Sequence, residues 1–353
     1  MTALETDEIW LHRCQAAAER LTEAASADGP ETLGVRMFVC LNLFYWHIAQ
    51  FESQENPAPR FIALCRGAEQ LFEGARSLAT PTAHELAKEG KRTGADASLG
   101  ELYSDVYTQL GDDEYFGEGA AVLRARLETN GIAPEDFFAD KVVLDAGCGA
   151  GRYTHAIAAL GGRQVFGIDL GEGNVGFARA QAAKSPHAAK LHYAVGSVLA
   201  LPVADREVDL VWCNSVAHVA GDQNACIAEL GRVLKPGGTL FYYVNGRFGI
   251  FEIMLTALQQ LSAGIFEAHF ARMLRMLGVK PGRISWIVAC VFAPYKFRPR
   301  TEVETLLAKH GFTDLRVLSR GHSYDYSERI ARGEPFARLK YGEGQLRFIG
   351  RKG

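Results

Sequence analysis

Three glycines at alternating positions follow a short apolar run near the middle of the chain. The segment Val142–Thr154 reads VVLDAGCGAGRYT, so Gly147, Gly149 and Gly151 lie between an apolar strand and the start of a helix. Glycines at such a turn remove side chains and let a ligand lie against backbone N–H groups at the helix N-terminus. The spacing therefore predicts a binding loop for a cofactor.

A carboxylate is placed where the next strand ends. Asp169 closes the run FGIDL, about 20 residues after the glycine loop, as in dinucleotide-binding chains. An acidic side chain there can accept both ribose hydroxyls of an adenosine cofactor. Arg152 occupies the place of the third glycine of the dinucleotide pattern, which disfavours NAD and makes an oxidoreductase the distant alternative.

The elements that must position these residues alternate between strands and helices. Helical stretches separate short apolar, β-branched runs, which lie at 142–144, 165–168, 191–195, 208–213 and 239–244, with two further strands at 315–318 and 346–349. This order predicts an α/β, Rossmann-like fold with a seven-stranded, mostly parallel sheet and helices on both faces.

Two helical regions are predicted outside the sheet. Residues 1–100 indicate apolar helices that end in a polar, glycine-containing loop at 88–100, and we interpret them as a cap or a dimerisation surface. Residues 246–299 are predicted to form a helical insertion after the fifth strand. A polar, tyrosine-containing loop is expected at 322–344, between the last two strands.

Composition and charge exclude several classes of partner. The net charge of -3, without a basic stripe, argues against nucleic acid. The apolar stretches are too short or too interrupted to span a bilayer, so no membrane partner is expected. Seven scattered cysteines without a CxxC pair, and no secretory signal, predict reduced thiols and a cytoplasmic location. No His, Asp, Glu or Cys group has metal-ligand spacing.

The strongest motifs together carry a family resemblance. Leu144–Thr154, the GID at Gly167–Asp169 and the LKPGGTL at Leu234–Leu240 resemble class I S-adenosylmethionine-dependent methyltransferases, over about residues 115–244. The resemblance implies S-adenosylmethionine as the cofactor of residues 101–353. It also implies a set of cofactor-binding residues: Asp145, Gly147, Cys148, Gly149, Arg152, Asp169, Leu170, Ser197, Val198 and Asn214.

The same resemblance gives these residues separate roles. Asp145 and the first two glycines of the loop would hold the methionine end of the cofactor, and Asp169 the ribose. Ser197 and Val198 would lie beside the adenine, and Asn214 under the sulfonium. Ser197 stands where many relatives carry an acidic residue, so selectivity for adenine would depend more on backbone contacts.

Proton transfer is needed only if the acceptor must lose a proton. His218, at the end of the segment NSVAH, and Tyr242 in the fifth strand are the candidate catalytic residues. A histidine that caps the next helix is the alternative for His218, and one of Tyr242 and Tyr243 must face the helices as a packing residue. The candidate substrate contacts are Tyr115, Tyr153, His218 and Tyr324.

The resulting prediction is a methyltransferase that acts on a small-molecule acceptor at O, N or C, in specialised metabolism. One alternative keeps the cofactor and cyclises it to azetidine-2-carboxylate with release of methylthioadenosine. Another is a non-catalytic regulatory protein that binds S-adenosylmethionine, with the N-terminal helices as a homodimer surface.

Overall fold

The chain divides into two compact units. In the computed structural model the described residues are 6–26, 32–78, 113–265, 267–279 and 281–353. One unit combines the N-terminal helices with Arg247–Tyr295 and Gly333–Glu343, and the other holds the sheet together with Lys296–Arg332 and Gly344–Gly353. The predicted loop at 88–100 lies outside the described residues, and the domain boundary at residue 100 stays a prediction.

One seven-stranded sheet forms the centre of the second unit, in the order β3-β2-β1-β4-β5-β7-β6. Strand β7 is antiparallel to β5 and β6, and the other pairs are parallel. This confirms the predicted α/β, Rossmann-like fold. The strands are β1 (Val142–Ala146), β2 (Gln164–Asp169), β3 (Leu191–Val195), β4 (Val208–Asn214), β5 (Leu234–Asn245), β6 (Phe312–Val317) and β7 (Gln345–Lys352).

Helices account for most of the remaining described residues. A π-helical turn, Asp113–Glu118, precedes the fourth α-helix, and a 3-10 turn, Ala188–Lys190, precedes β3. The α-helices are α1 (Asp7–Ser26), α2 (Leu33–Ala49), α3 (Pro57–Leu78), α4 (Gly119–Glu128), α5 (Pro134–Phe138), α6 (Arg152–Ala159), α7 (Glu172–Ala182), α8 (Gln223–Val233), α9 (Ile250–Leu261), α10 (Glu267–Met276), α11 (Pro281–Phe292), α12 (Arg300–Lys309), α13 (Tyr326–Ala331) and α14 (Ala337–Tyr341).

Both faces of the sheet are covered because successive residues of a strand point to opposite sides. Val211 of β4 packs in one cluster with Leu230 of α8 and Leu307 of α12. Its neighbour Trp212 packs in the other cluster with Ile157 of α6 and with residues of α4 and α7. The face with α4, α6 and α7 carries the side chains of the candidate site.

The other unit is helical. In α3, Phe61, Cys65, Ala68 and Phe72 are buried at spacings of three and four residues, which is the pattern of one apolar helix face. The helical N-terminal region and the helical insertion after β5 are therefore confirmed. Among the described residues, no helix combines the length and the apolar character needed to cross a membrane.

The loop predicted at 322–344 is wrong in part, because it contains the two short helices α13 and α14. Two of its acidic side chains are also buried: Asp325 is 2% exposed and Glu328 is 1% exposed. Arginines bind both carboxylates, which allows charged residues to be buried in a short segment. A polar sequence alone does not show such pairing.

Candidate functional site

The glycine loop joins β1 to α6 through backbone conformations that favour glycine. Gly147 has φ 78° and Gly151 has φ 84°. A Cβ on Gly147 would overlap the side chain of Val216, and a Cβ on Gly151 would lie 2.8 Å from the Tyr193 hydroxyl oxygen. Both positions therefore exclude larger residues, because protein side chains pack directly against the glycine backbone.

Asp169 is tied directly to this loop. Its Oδ2 accepts a hydrogen bond of 2.9 Å from the Gly149 N–H, and its Oδ1 accepts from the Gly171 N–H at 2.9 Å and from Asn174 Nδ2 at 3.0 Å. The donors fix the orientation of the carboxylate at the carboxyl end of β2. Ligands bind at this edge in open α/β sheets.

Asp145, near the end of β1, is a second carboxyl group at the loop. It is 2% exposed, and the Thr154 hydroxyl donates to its Oδ2 at 2.7 Å. Burial, with a smaller effect of Asp169, raises the pKa of Asp145 from 3.8 to about 7. A cation bound beside Asp145 would favour its ionised form.

Three more predicted residues surround the loop. The Tyr115 hydroxyl donates to the Ala150 carbonyl oxygen at 2.6 Å, so this buried tyrosine packs against the loop. Arg152 Nη2 lies 3.4 Å from Glu118 Oε2. Cys148 is half-buried, and burial raises the pKa of its thiol well above the ordinary value. A neutral thiol is a small packing group, not a nucleophile.

The residues predicted beside adenine follow β2 and β3. Leu170, directly after Asp169, leaves 48% of its surface exposed, which is unusual for an apolar residue and suits contact with a flat ring. Ser197 Oγ accepts from the Leu199 N–H at 3.1 Å, so its hydroxyl stabilises the local turn. Val198 packs against the core cluster on the α8 face.

The end of β4 carries Asn214 and His218. Asn214 Oδ1 is buried and accepts no hydrogen bond from the described residues. The next residue, Ser215, has φ 66°, an uncommon conformation outside glycine, and its Oγ lies 3.4 Å from His218 Nε2. His218 is fully buried, and burial lowers its pKa to about 3, so the imidazole is neutral at physiological pH.

The adjacent tyrosines of β5 point to opposite faces. Tyr242 is fully buried in the cluster with α8, and its hydroxyl accepts from Gln223 Nε2 at 2.8 Å. Tyr243 is half-buried on the α6 face, where its ring centroid is 5.8 Å from that of His218. This placement argues against the proton-transfer role predicted for Tyr242 and brings Tyr243 to the site instead.

Two predicted substrate contacts are placed differently from each other. Tyr324 leaves 67% of its surface exposed and makes a ring contact with His322. The half-buried Tyr153 of α6 accepts a hydrogen bond of 2.8 Å from Arg126 Nη1. Arg126 in turn binds the carboxylate of Asp325 through two nitrogens, at 2.7 and 2.8 Å.

Sequence reasoning missed Arg126 and Arg347. Arg347 is fully buried on β7, and its guanidinium carbon lies 4.9 Å from the centre of the Tyr243 ring. A charged residue inside the apolar run at 346–349 was the available signal, because a buried strand rarely carries an arginine without a specific role. Arg126 shows no comparable signal within its amphipathic helix.

A cavity of about 400 Å³ lies elsewhere, at the amino ends of β4 and β5. Its lining includes Arg206, Arg232, His310 and Lys352. Ligands of this fold bind at the carboxyl ends of the strands, so we place the candidate site at the glycine loop and not in this cavity.

Comparison with known proteins matches the same segment. Residues 144–242 fit the family model described as "Methyltransferase domain". Over 101 residues the chain is 34% identical to the malonyl-[acyl-carrier protein] O-methyltransferase of Yersinia pestis, which covers 29% of this chain and 35% of that protein. Over 109 residues it is 35% identical to the ubiquinone biosynthesis O-methyltransferase of Aromatoleum aromaticum, which covers 31% of this chain and 46% of that protein.

The matched segment thus spans less than half the length of these two relatives. A similar solved structure is a methyltransferase of Thermotoga maritima described as a possible histamine N-methyltransferase. It is 15% identical with a TM-score of 0.42, and the match covers 72% of this chain and 100% of that one.

Proposed function

Because the chain contains a class I S-adenosylmethionine-dependent methyltransferase domain, we propose that it transfers the methyl group of this cofactor to a small-molecule acceptor. The two named relatives are O-methyltransferases, but the match covers less than half of each of them, so the accepting atom stays open among O, N and C. The seven free thiols support the cytoplasmic location that we propose with this activity. Specialised metabolism and a homodimer stay predictions.

The contact between the glycine loop and Asp169 carries the proposal. The Gly149 N–H donates to Asp169 Oδ2, so the glycine loop is joined directly to the acidic strand end. The buried Asn214 Oδ1, which accepts from no described residue, adds an available acceptor at the end of β4. These features fit an adenosyl ligand with a cationic sulfonium.

Each residue then has a proposed task. The cofactor supplies a methyl group on a positively charged sulfur, which makes methyl transfer an in-line displacement. Asp145 binds the cationic amino group of the methionine end, Asp169 accepts the ribose hydroxyls, and Leu170 covers the adenine ring. These contacts orient the cofactor and exclude water, which supplies much of the acceleration in such a reaction.

A general base at this site would be a neutral group near the end of β4. Burial lowers the pKa of His218 to about 3, which keeps the imidazole unprotonated but also makes it a weak base, so this role requires that ligand binding raise its pKa. The Ser215 hydroxyl at 3.4 Å provides a route to the site for a proton. For an acceptor that has no proton to lose, His218 positions Ser215 only.

The test combines calorimetry with product analysis. We expect S-adenosylmethionine and S-adenosylhomocysteine to bind the purified chain. Incubation with S-adenosylmethionine and a small-molecule extract should release S-adenosylhomocysteine, and omission of the extract should abolish this product. Absence of binding by folded protein would refute the proposal. Release of methylthioadenosine without extract would support cyclisation of the cofactor, and binding without turnover would support a regulatory role.

A further inference from the structure

A cluster of two arginines and one aspartate, with one arginine and the aspartate fully buried and the other arginine half-buried, lies beside Tyr153 and Tyr243. We call Arg126, Asp325 and Arg347 the arginine cluster. Arg126 binds both oxygens of Asp325, and Arg347 Nη2 lies 3.0 Å from Asp325 Oδ1. Two cations thus share one carboxylate in the interior of the sheet unit.

The second arginine has unused donors. Arg347 is fully buried, and its Nη1 donates to Ser327 Oγ at 3.0 Å. Its Nε makes no hydrogen bond to any group in the described part of the chain. A guanidinium has five N–H donors, and leaving them unsatisfied in the interior is costly. The Arg347 guanidinium can therefore donate to one more hydrogen-bond acceptor.

The charges in the cluster do not cancel. Arg126 and Arg347 contribute two positive charges and Asp325 one negative charge. Glu328 does not offset the excess, because it binds Arg320 and Arg332. A buried charge without a counter-ion is unfavourable, so binding of an anion would stabilise the excess positive charge of the cluster.

The pKa values of Asp325 and Arg347 also reflect the excess of positive charge in the arginine cluster. Burial alone would raise the pKa of Asp325, but Arg126 and Arg347 hold it well below its ordinary value. Burial lowers the pKa of Arg347, and repulsion from Arg126 lowers it further. An additional anion near Arg347 would relieve this repulsion.

The cluster lies in line with the proposed cofactor site. Arg347 of β7 pairs with Tyr243 of β5, and Tyr243 pairs with Asn214 of β4, so these side chains share one face. Adjacent strands are about 4.8 Å apart, which puts the Arg347 backbone roughly 10 Å from that of Asn214. The guanidinium extends over the Tyr243 ring. It is thus positioned next to the end of the site predicted to hold the sulfonium.

We propose that the arginine cluster, which contacts Tyr153 and Tyr243, binds a carboxylate of the acceptor, so that the enzyme selects acidic small molecules. A carboxylate matches the planar fork of an arginine through two parallel hydrogen bonds. The role of this anion as the acceptor rests on the proposed function, whereas its binding does not. The competing explanation is a purely structural ion pair that anchors the start of α13.

The test uses benzoate as a simple carboxylate and benzamide as its neutral counterpart, at constant ionic strength. Calorimetry and thermal melts are recorded on the full chain in the presence of S-adenosylhomocysteine. We expect benzoate to bind and to raise the Tm, and benzamide to do neither. The variant Arg347→Met should weaken benzoate binding at least about tenfold, because it removes the excess charge and its donors.

Two further variants separate binding from folding. Arg351→Met removes an exposed arginine of the same strand that donates to the Gly237 carbonyl oxygen, and it should bind benzoate like the wild type. Asp325→Asn increases the excess positive charge and should bind benzoate more tightly, whereas a purely structural pair predicts only a lower Tm. If Arg347→Met does not fold, Asp325→Asn decides the matter.

Equal binding of benzoate and benzamide, or unchanged benzoate binding in Arg347→Met, would overturn the inference. The proposed function is judged separately by cofactor binding in the same preparations. Loss of S-adenosylhomocysteine binding by wild-type protein would refute the function, whereas intact cofactor binding with no preference for benzoate would refute only the acidic acceptor. In turnover, a carboxylic acid and its amide give the same comparison through KM.

Discussion

If Asp145 binds the amino group of the cofactor as proposed, the affinity for the cofactor depends on pH by an amount that can be calculated. The pKa of Asp145 in the free protein is about 7, mainly because the carboxyl is buried. The proposed partner is the cationic amino group of S-adenosylmethionine, which requires Asp145 to be ionised. Below pH 7 the carboxyl is largely protonated, so binding must first remove its proton, at about 1.4 kcal/mol per pH unit.

The expected effect is a weaker affinity at low pH. For a single group with a pKa of about 7 in the free protein, the protonated fraction at pH 6 weakens binding by about tenfold relative to pH 8. The variant Asp145→Asn removes the titrating group, while its side-chain oxygen can still accept from Thr154. At pH 8 the affinity of Asp145→Asn for S-adenosylmethionine should be lower than that of the wild type. At pH 6 the affinities of the two proteins should be almost equal.

Calorimetry at pH 6, 7 and 8 measures the dissociation constant of S-adenosylmethionine for the wild type and for Asp145→Asn. The amino group of the ligand also titrates, but it does so equally in both experiments, so the ratio of the two dissociation constants isolates Asp145. A ratio that stays constant with pH would refute the reasoning. So would an equal loss of affinity at low pH in Asp145→Asn.

Protein stability gives an independent measurement of the same pKa. Folding raises the pKa of Asp145 above its ordinary value of 3.8, so the folded state holds a proton that the unfolded state releases. This contribution is fully present below about pH 4 and is lost as the pH rises to about 7. Asp145→Asn should therefore raise the Tm relative to wild type at pH 8 but not at pH 4, as measured by thermal melts.

Three other substitutions test the remaining parts of the site. Asp169→Asn should weaken S-adenosylmethionine binding by about 10- to 100-fold in calorimetry, since hydrogen bonds to a charged group contribute about 1.5–3 kcal/mol. The control Asp136→Asn, at an exposed position, should bind like the wild type. Equal affinities of Asp169→Asn and the wild type would exclude the ribose contact. Gly147→Ala should lower the Tm and abolish cofactor binding because its Cβ would overlap Val216; unchanged melting would show that the turn can relax. Because the pKa of His218 is about 3, the pH–rate profile should show no inflection near pH 6.5 from this residue. If His218 is the general base, His218→Gln should lower kcat about 100-fold. An inflection near pH 6.5 that disappears in His218→Gln would contradict the burial of His218.

The sequence predicted the features that depend on local pattern. Strand runs, glycine spacing and the acidic residue at a strand end are read within short windows, and the structure places Asp169 against the loop through Gly149. The choice between Tyr242 and Tyr243 was open because alternation shows that they face opposite sides without showing which side is the site. Only the packing of α6 and α8 on the two faces decides it.

The arginine cluster depends on information that is not local. Arg126 lies 199 residues before Asp325 in the chain, and the two meet only after the sheet has formed. The position of Arg347 depends on the register of β7, the antiparallel strand, and a slip of one residue would turn its side chain to the other face. Spacing in the sequence could therefore identify the proposed cofactor loop but not the group that we propose selects the acceptor.

One row of residues crosses the carboxyl edge of the sheet and orders the chemistry along it. Asp145 of β1 pairs with Gly167 and Trp212, and Asp169 and Asn214 lie two residues beyond these partners, on the strands at either side of β1. Pairing continues the row through Tyr243 to Arg347, across four strand spacings or about 19 Å.

The row begins at a carboxylate and ends at a buried cation, with an amide and a phenol between them. A cofactor with ribose hydroxyls and a cationic sulfur is complementary to the first part, and an acidic acceptor to the last. With the opposite orientation, the sulfonium would face Arg347 and the acceptor carboxylate would face Asp169, so both contacts would be repulsive. For the proposed cofactor and acceptor, the charge order therefore favours one direction of binding, in which the transferred methyl group would lie between Asn214 and Tyr243.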